Sequence, residues 1–266
     1  MERRYYLDNI PLATARCKFF EGLSRHDAYP KIKTESVPIV DSANRILASS
    51  VFASLSSPFV TTSAMDGIAL KAAHTFGATE TKPKILEAEE FQWIDTGEPI
   101  PIKYDAVVMI ENVERYEDGA VQLRSPVAPY QHVRKIAEDI AAPQLLLGRG
   151  TKVRPIDLAS LGAAGISDVQ VAVKPRIALI PTGSELIRLG DVPEPGNVIE
   201  FNSIFISALI ESWGGIPHVQ SPVPDEVDKI KNALAKTATL YDAVLIIAGS
   251  SAGSEDFTYK VIDESG

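Results

Sequence analysis

An alternation of apolar and amphipathic segments after Pro175 is the feature that most constrains how this chain folds. The pattern predicts strands and helices in strict alternation, at Ile177 to Ile180, Asn202 to Trp213, Pro217 to Gln220, Asp225 to Lys236 and Ala243 to Ala248. Helical crossovers of this kind join parallel strands. Residues 175–266 are therefore predicted to form an α/β domain, in which helices cover a parallel sheet. Because doubly wound domains commonly contain more than three strands, we expect this one to be incomplete at its C terminus.

The segments before Pro175 carry shorter and more varied patterns. Asn9 to Leu23 has apolar residues at helical spacing and is predicted to be an amphipathic helix with one buried face, which includes the single cysteine, Cys17. Short strands separated by turns are expected as far as about Ala142, because prolines are frequent in this part of the chain. A helix is predicted from Ile156 to Ala164 and a strand from Val169 to Val173.

The composition disfavours several classes of function. Asp and Glu (35) outnumber Lys and Arg (26), and the net charge of −9 argues against a general nucleic-acid-binding surface. One cysteine and four widely separated histidines offer no zinc-ligand spacing and no internal disulfide. The apolar stretches are far shorter than the ~20 residues of a membrane-spanning helix. The first residues do not resemble a signal peptide, so we expect a cytoplasmic protein with neither a membrane nor a nucleic acid as partner.

The strongest local signal is the serine-rich segment Ala248-Gly-Ser-Ser-Ala-Gly-Ser-Glu-Asp256, which follows a predicted strand and precedes a predicted helix. Small residues let the backbone approach a ligand closely, and free N–H groups at a helix N terminus attract anions. A phosphate-binding loop and a plain βα turn with a serine cap explain this segment equally well. Its spacing matches neither the P-loop nor the Rossmann fingerprint.

A second predicted strand ends in the turn Pro181-Thr-Gly-Ser-Glu185. In an open parallel sheet, ligands bind beyond the carboxyl ends of the strands, where this turn and the serine-rich segment would meet. Taken alone, Thr182 and Gly183 are ordinary turn residues and Glu185 is an ordinary exposed carboxylate. Asp225, at the start of a predicted helix, is explained equally well as an N-cap or as a ligand.

Three polar segments stand out between residues 60 and 140: Ser63-Ala-Met-Asp-Gly67, Asp95-Thr-Gly-Glu-Pro-Ile-Pro101 and the charged stretch from Arg134 to Ile140. Turn chemistry explains the first two of them. A solvated surface explains the third. Singly, none of the three indicates a function.

In this order and at this spacing, however, the segments together resemble the molybdopterin molybdenumtransferases, the family of MoeA and of the E domain of gephyrin. The resemblance extends along nearly the whole chain. It is carried by Pro58 to Gly67, Thr96 to Pro101, Arg134 to Ile140, Pro175 to Leu186, Asn202, Asp225 and the serine-rich segment. The combination of Ser-Ala-Met-Asp-Gly with Thr-Gly-x-Glu-Leu is specific.

The resemblance implies the insertion of molybdate into adenylated molybdopterin, with release of AMP and with Mg²⁺ as cofactor, by an elongated homodimer. It also implies a multidomain fold with three parts: a linker domain from residues 1–26 and 143–174, an inserted mainly β domain at 27–142, and a three-layer molybdopterin-binding α/β domain at 175–266. The active site would then lie between this last domain and the inserted domain of the partner subunit.

Carried over to this sequence, the resemblance implies catalytic roles for Asp66, Glu185, Asp225 and Asp256, of which Asp225 and Asp256 would bind Mg²⁺. It implies substrate-binding roles for Ser63, Thr96, Arg134, Glu138, Asp139, Thr182, Gly183, Ser184, Gly249, Ser250, Ser251, Gly253 and Ser254. Carboxylates and a divalent cation would offset the charge of the phosphates, and backbone amides of the serine-rich segment would hold the pterin phosphate.

Several positions close to this site depart from the commoner family pattern. Thr61 stands where Asp is frequent, Ala137 where Gly is usual and Ser184 where Asp is usual, while Gly-Ser-Ser-Ala-Gly-Ser replaces Gly-Gly-Val-Ser-Val-Gly. The loss of two carboxylates could change how a metal ion or an oxyanion is handled. Two alternatives to an enzyme therefore stay open: a pterin- or oxyanion-binding sensor without turnover, and a scaffold protein.

Overall fold

The structure is a computed structural model that describes residues 10–25, 32–247 and 258–264. Its helices and strands are, in chain order, α1 (Leu12–Arg25), β1 (Thr34–Pro38), β2 (Val51–Phe52), β3 (Thr62–Ser63), β4 (Gly67–Leu70), β5 (Lys84–Leu86), β6 (Phe91–Ile94), β7 (Ala106–Met109), β8 (Glu114–Arg115), β9 (Val121–Leu123), β10 (Val133–Arg134), β11 (Leu145–Leu147), α2 (Pro155–Ala163), β12 (Asp168–Ala172), β13 (Arg176–Pro181), β14 (Leu186–Ile187), β15 (Val198–Ile199), α3 (Asn202–Ser212), β16 (Ile216–Val219), α4 (Val227–Ala238), β17 (Ala243–Ile247) and α5 (Thr258–Glu264). Short 3₁₀ helices occur at Ile39–Asp41, Ala72–Thr75 and Ile110–Asn112. Among these described helices, none combines the length and the apolar character that crossing a membrane requires.

The chain forms two compact units. The central unit is Ser36–Val171, and the C-terminal unit combines Met1–Glu35 with Ala172–Gly266. The central unit contains short strands and α2, whereas strands and helices alternate in the second part of the C-terminal unit. The finer division into a linker, an inserted and a molybdopterin-binding domain stays a prediction.

A three-stranded parallel sheet forms the core of the C-terminal unit, with β13 in the centre and β16 and β17 on either side. Ala178, Leu179 and Ile180 of β13 are fully buried, as expected of a strand that is covered on both faces. Helix α3 connects β13 to β16, and α4 connects β16 to β17. The α/β fold and the order of strands and helices predicted from the sequence are therefore confirmed.

In the central unit, β4 pairs antiparallel with β6 on one side and with β7 on the other. Gly67, its first residue, has a φ of +157°. A Cβ atom at this position would lie 1.9 Å from the carbonyl oxygen of Val108 on β7. Only glycine lets β7 approach this closely at the point where the turn Ser63 to Gly67 enters the sheet.

Two hydrophobic clusters of the central unit lie on the two faces of β4. Ile68 and Leu70 point into one hydrophobic cluster, which also contains residues of β5, β6, β7 and β9, and Ala69 points into a second cluster with Ile94 and Val107. Because successive side chains of a strand alternate between its two faces, β4 is buried on both sides. The turn at its N-terminal end is therefore anchored to a rigid strand.

At the start of helix α2, the side chain of Asp157 bonds back to the N-cap residue, Arg154. The carboxylate of Asp157 accepts hydrogen bonds from the backbone amide of Arg154 at 2.8 Å and from its guanidinium at 2.7 Å. Asp157 is 6% exposed, and the guanidinium and then the backbone amide of Arg154 lower its pKa below the ordinary value of 3.8. This carboxylate satisfies N–H groups that would otherwise lack a partner at the helix start.

The structure corrects the expectation for the N-terminal helix. Helix α1 forms, but it contains no buried residue: Leu12 is 76% and Phe19 is 63% exposed, and Cys17 is also exposed. The predicted buried face and the predicted burial of Cys17 are therefore wrong. Helical spacing identifies which side of a helix is apolar, but it does not show whether another element covers that side.

Candidate functional site

The register of the sheet in the central unit brings Asp66 next to Thr96, which lies 30 positions further along the chain. Gly67 of β4 pairs with Ile94 of β6, so the residues just before Gly67 lie opposite the residues just after Ile94. The carboxylate oxygen Oδ1 of Asp66 accepts two hydrogen bonds from Thr96, one from the backbone amide at 2.7 Å and one from the hydroxyl at 2.8 Å. Two candidate site residues from separate sequence motifs are thus directly joined by hydrogen bonds.

These two hydrogen bonds act on the ionisation of Asp66. The backbone amide of Thr96, and after it the hydroxyl, stabilise the carboxylate and lower the pKa of Asp66 below its ordinary value. Both side chains are exposed. Asp66 is therefore a negatively charged and solvent-accessible group near neutral pH, with a fixed orientation.

Ser63 shapes the turn that carries Asp66. It is fully buried, and its hydroxyl donates to the backbone carbonyl of Met65. Its backbone amide and carbonyl bond to Glu98 and Gly97, both at 2.9 Å, and Ala64 N–H donates to the carbonyl of His132. The turn is thus held from both sides by two other segments of the chain.

The charged stretch predicted at Arg134 to Ile140 lies beside this turn, because β10 pairs antiparallel with β3 and places Arg134 opposite Thr62. The guanidinium of Arg134 forms ion pairs with Asp139 and, at 4.0 Å, with Glu138. All three side chains are partly or fully exposed. The structure therefore brings Arg134, Glu138 and Asp139 to one surface loop next to the strand that leads to Asp66.

This loop and the segment just before β10 contain residues in the left-handed region of φ. Ala137 has a φ of 63°, Tyr130 of 65° and His132 of 55°. An alanine in this conformation is strained, because its Cβ is close to the following carbonyl oxygen. Ala137 stands where the family pattern usually has Gly. This substitution therefore falls at a position where the backbone conformation favours glycine.

In the C-terminal unit, the turn Thr182 to Glu185 follows the central strand β13, at the carboxyl edge of the parallel sheet. Thr182 is 5% exposed and bonds through both its amide and its hydroxyl to the carbonyl of Ile247 at the end of β17. Gly183 has a φ of +155°, and a Cβ there would lie 2.9 Å from Oε1 of Glu185. The side chain of Glu185 folds back over this glycine.

Asp225 lies close to the same turn. Its backbone amide donates to Oγ of Ser184 at 3.2 Å, and Gly183 N–H donates to the carbonyl of Val223 at 3.0 Å. The N-cap of α4 is Glu226, so the interpretation of Asp225 as the N-cap is wrong. The structure thus brings Thr182, Gly183, Ser184, Glu185 and Asp225 to one edge of the sheet, whereas the predicted meeting of this turn with the serine-rich segment involves residues outside the described part of the chain.

The remaining candidates lie outside the described residues. They are the members of the serine-rich segment: Gly249, Ser250, Ser251, Gly253, Ser254 and Asp256. The strand that precedes them, β17, ends at Ile247, beside Pro181 of β13 in the parallel sheet.

Glu98, which supports the position of Thr96, is not among the site residues predicted from the sequence. Its Oε2 accepts a hydrogen bond from the backbone amide of Asp95 at 3.1 Å, across the turn in which Thr96 lies. The sequence does contain a signal for this contact. Glu98 lies three positions after Asp95, a spacing at which a side chain can bond back to the backbone of a turn.

Comparisons with known proteins agree with the two parts of the chain. The family model described as "MoeA N-terminal region (domain I and II)" matches residues 11–165. The family model described as "Probable molybdopterin binding domain" matches residues 178–266.

Individual relatives match over most of this chain. A protein of Methanocaldococcus jannaschii assigned to molybdopterin biosynthesis is 32% identical, over 97% of this chain and 68% of the relative. Molybdopterin molybdenumtransferase 2 of Mycobacterium tuberculosis is 30% identical, over 86% of this chain and 60% of the relative. The crystal structure of a MoeA molybdopterin biosynthesis protein from Pyrococcus horikoshii superposes with a TM-score of 0.81 at 29% identity, over 97% of this chain and 67% of that one.

This chain therefore spans about two thirds of the length of these relatives. Both family models match in the order expected from the motifs, and between them they cover most of the sequence. The chain belongs to the MoeA family.

Proposed function

We propose that this chain acts in molybdenum cofactor biosynthesis as a transferase, which inserts molybdenum from molybdate into adenylated molybdopterin and releases AMP. The names of relatives that match 86% or more of this chain support the proposal. The activity is a proposal for this chain because it spans only 60% to 68% of those relatives.

The observation that carries the proposal is the pair of hydrogen bonds from Thr96 to Asp66. A carboxylate with a lowered pKa stays ionised near neutral pH, so it can accept a hydrogen bond, bind a cation or orient a reacting oxygen. Thr96 acts through Asp66, because both its donors bond to the same oxygen. Ser63 acts through the shape of the turn, because its hydroxyl is buried.

The residues at the edge of the parallel sheet have complementary roles in the proposal. Gly183 and Ser184 place backbone close to the phosphates, and Glu185 and Asp225 bring negative charge to the same edge. Arg134, with Glu138 and Asp139 around it, supplies a guanidinium that can pair with a phosphate oxygen. Asp256 and the small residues of the serine-rich segment enter the proposal through the resemblance.

Mg²⁺ belongs to the same proposal. Within the described residues, no group of three or more His, Cys, Asp or Glu side chains could hold a metal ion. Mg²⁺ is, however, commonly bound by one or two carboxylates together with substrate phosphates, and a pair such as Asp225 and Asp256 fits that chemistry. When bound, the ion would offset the negative charge of the phosphates as AMP leaves.

The proposal also includes the oligomeric state and the location of the protein: it forms a homodimer, and it is located in the cytoplasm. The exposed apolar side chains of α1, such as Leu12 and Phe19, support an association between copies, because large apolar surfaces are commonly interfaces. Sedimentation should show a dimer at micromolar concentration, and cell fractionation should recover the protein with cytoplasmic enzymes. A chain that sediments only as a monomer would contradict the dimer.

The central test measures AMP released from adenylated molybdopterin, with and without molybdate and Mg²⁺. We expect release that depends on molybdate, and a fall of about 100-fold or more in Asp66→Asn and in Asp256→Ala. Asp95→Asn removes the same charge from an exposed residue next to Thr96, and it should keep most of the activity. No release from this chain, under conditions in which the M. tuberculosis relative is active, would contradict the transferase and favour binding without turnover.

A further inference from the structure

A short segment just before β10 joins strand β7 to the turn that carries Asp66. The carbonyl of Gln131 accepts the backbone amide of Val107 on β7 at 3.0 Å, and the carbonyl of His132 accepts the backbone amide of Ala64 at 2.9 Å. Ala64 lies in the turn, two residues before Asp66. The position of His132 is therefore transmitted to this turn by a backbone hydrogen bond.

His132 has a backbone conformation that is unfavourable for most residues. Its φ is 55°, and Tyr130, two positions earlier, has a φ of 65°. In this left-handed region the Cβ atom lies close to the following carbonyl oxygen, and residues other than glycine adopt it rarely. Such a conformation persists where surrounding contacts stabilise it, so the contacts of the half-buried imidazole of His132 matter.

The neighbouring glutamine determines which form of the imidazole fits. Oε1 of Gln131 accepts the backbone amide of Ala128 at 2.9 Å, which makes Nε2 the donor end of this side chain. That nitrogen lies 3.3 Å from Nε2 of His132. An amide nitrogen only donates, so Nε2 of His132 accepts, and the ring is neutral with its proton on Nδ1. A protonated imidazole carries a proton on both nitrogens and cannot make this contact.

We propose that His132 is a positioning residue for Asp66: its neutral imidazole, bonded to Gln131, holds the segment that fixes the Asp66 turn, and its protonation releases that segment. The inference rests on the proposed function only in the role that it gives to Asp66. The backbone amide and then the hydroxyl of Thr96 lower the pKa of Asp66, so this carboxylate keeps its charge where histidines ordinarily titrate. Mild acid would therefore act on the orientation of Asp66 and not on its charge.

Other charged groups lie on the elements around His132. They are Asp66 and Glu98 on the two adjoining turns, Asp105 before β7, and Arg134 and Lys135 after His132. Arg134 is already paired with carboxylates, and Nζ of Lys135 lies 4.4 Å from the centre of the Tyr130 ring. Carboxylates, lysine and arginine ordinarily keep their charge between about pH 5 and 8, whereas histidine does not.

The first test is an NMR titration of the intact chain between about pH 8 and pH 5.5, across the range in which histidine changes charge. In wild type, the imidazole of His132, the amide of Ala64 and the carboxyl carbon of Asp66 should follow one titration. The protection of the Ala64 amide against hydrogen exchange should fall about fivefold as the ring is protonated. In His132→Asn, which accepts a left-handed φ and does not titrate, the signals of Ala64 and Asp66 should stay constant. His74→Asn, at a half-buried histidine of the same unit, should give the wild-type curves.

A second variant separates positioning by the imidazole from a general need for a folded turn. Gln131→Glu keeps an oxygen for the amide of Ala128 but replaces the donor with a carboxylate, which bonds to the protonated ring of His132. The dependence on pH should then be reversed, with the Ala64 amide better protected in acid. A purely structural role of the segment would not change sign in this way.

Two results would overturn the inference: signals of Ala64 and Asp66 that do not follow the titration of His132, or the same direction of change in wild type and in Gln131→Glu. Neither measurement needs a substrate, so failure of the inference is distinguishable from failure of the proposed function. AMP release supplies the functional measurement. The ratio of its rates at about pH 8 and pH 6 should be several-fold larger in wild type than in His132→Asn.

Each combined outcome has one meaning. Molybdate-dependent AMP release without coupling between His132 and Asp66 would reject the positioning role and leave the transferase standing. Coupling that reverses in Gln131→Glu, in a chain that releases no AMP, would support the positioning role and contradict the transferase.

Discussion

The carboxylate of Asp66 receives both the backbone amide and the hydroxyl of Thr96 on one oxygen atom, across two neighbouring strands that fix the register. The second carboxylate oxygen is not part of this contact. The side chain is therefore held in one orientation by one residue, and that residue can be changed without altering the carboxylate.

Thr96→Val should separate the contribution of the hydroxyl from that of the backbone amide. The backbone bond stays, the hydroxyl bond is lost, and the pKa of Asp66 should rise toward its ordinary value. NMR titration of the Asp66 carboxyl carbon measures this change. AMP release should fall several-fold, and Thr96→Ser, which keeps the hydroxyl, should behave like wild type. An unchanged pKa of Asp66 in Thr96→Val would contradict the role given to the hydroxyl.

Ala137→Gly should stabilise the protein. The φ of 63° costs an alanine about 1–2 kcal/mol, and the greater freedom of glycine in the unfolded chain offsets part of that gain. We expect the free energy of unfolding to rise by roughly 0.5–1 kcal/mol, as measured by urea denaturation. The same change at Ala235, an exposed position inside α4, should instead lower it by about 1 kcal/mol. A loss of stability in Ala137→Gly would show that the conformation carries no strain.

Asp157→Asn should destabilise the start of α2 in a pH-dependent way. At neutral pH we expect the free energy of unfolding to fall by about 1 kcal/mol. The reason is that the contacts of the charged carboxylate with the backbone amide and the guanidinium of Arg154, at the start of the helix, are weakened. The pKa of Asp157 is lowered in the folded state, so its contribution is complete above the ordinary value of 3.8 and disappears as the pH falls through the folded pKa. Wild type and variant should therefore converge in acid.

Denaturation curves of both proteins between neutral pH and about pH 3 test this prediction. Asp168→Asn, at an exposed aspartate of the same unit, is the control and should change stability little at any pH. A difference between wild type and Asp157→Asn that persists undiminished in acid would contradict the assignment of the stabilisation to the charged carboxylate.

Substitutions of Ser184 test whether a serine at this position, where the family pattern usually has aspartate, impairs the site. Its Oγ accepts the backbone amide of Asp225 at 3.2 Å, and an aspartate at this position could accept the same hydrogen bond. We expect Ser184→Ala to lower AMP release several-fold and to shift the amide resonance of Asp225, while Ser184→Asp keeps the activity. Equal activity of all three proteins would show that the contact between Ser184 and Asp225 does not matter for the reaction.

The strongly periodic part of the fold was predictable from the sequence. Strands β13, β16 and β17 and helices α3 and α4 lie within a few residues of their predicted positions, because apolar periodicity and the breaks at Pro175 and Gly214 mark them locally. The position of β13 in the centre of the sheet was not predictable, since it depends on which strands pair and not on any single strand.

The candidate site was predictable as a set of residues, but not as a set of contacts. The bond between Asp66 and Thr96 depends on the register of β4 and β6, in which Gly67 faces Ile94. A shift of one residue would turn the side chains to the other face, and local sequence does not record that choice. The exposure of Cys17 was missed for a similar reason, because it depends on what packs against α1.

The central place of β13 also has a consequence for how the chain folds during synthesis. Both of its partners come later in the sequence, and β17 ends 66 residues after Pro181. At a translation rate of about 5–20 residues per second, the ribosome needs roughly 3–13 s to complete the second partner after β13. During that interval Ala178, Leu179 and Ile180, which are fully buried in the finished sheet, cannot be covered by both neighbours. The apolar strand β13 therefore lacks at least one neighbour until the chain has been made as far as β17.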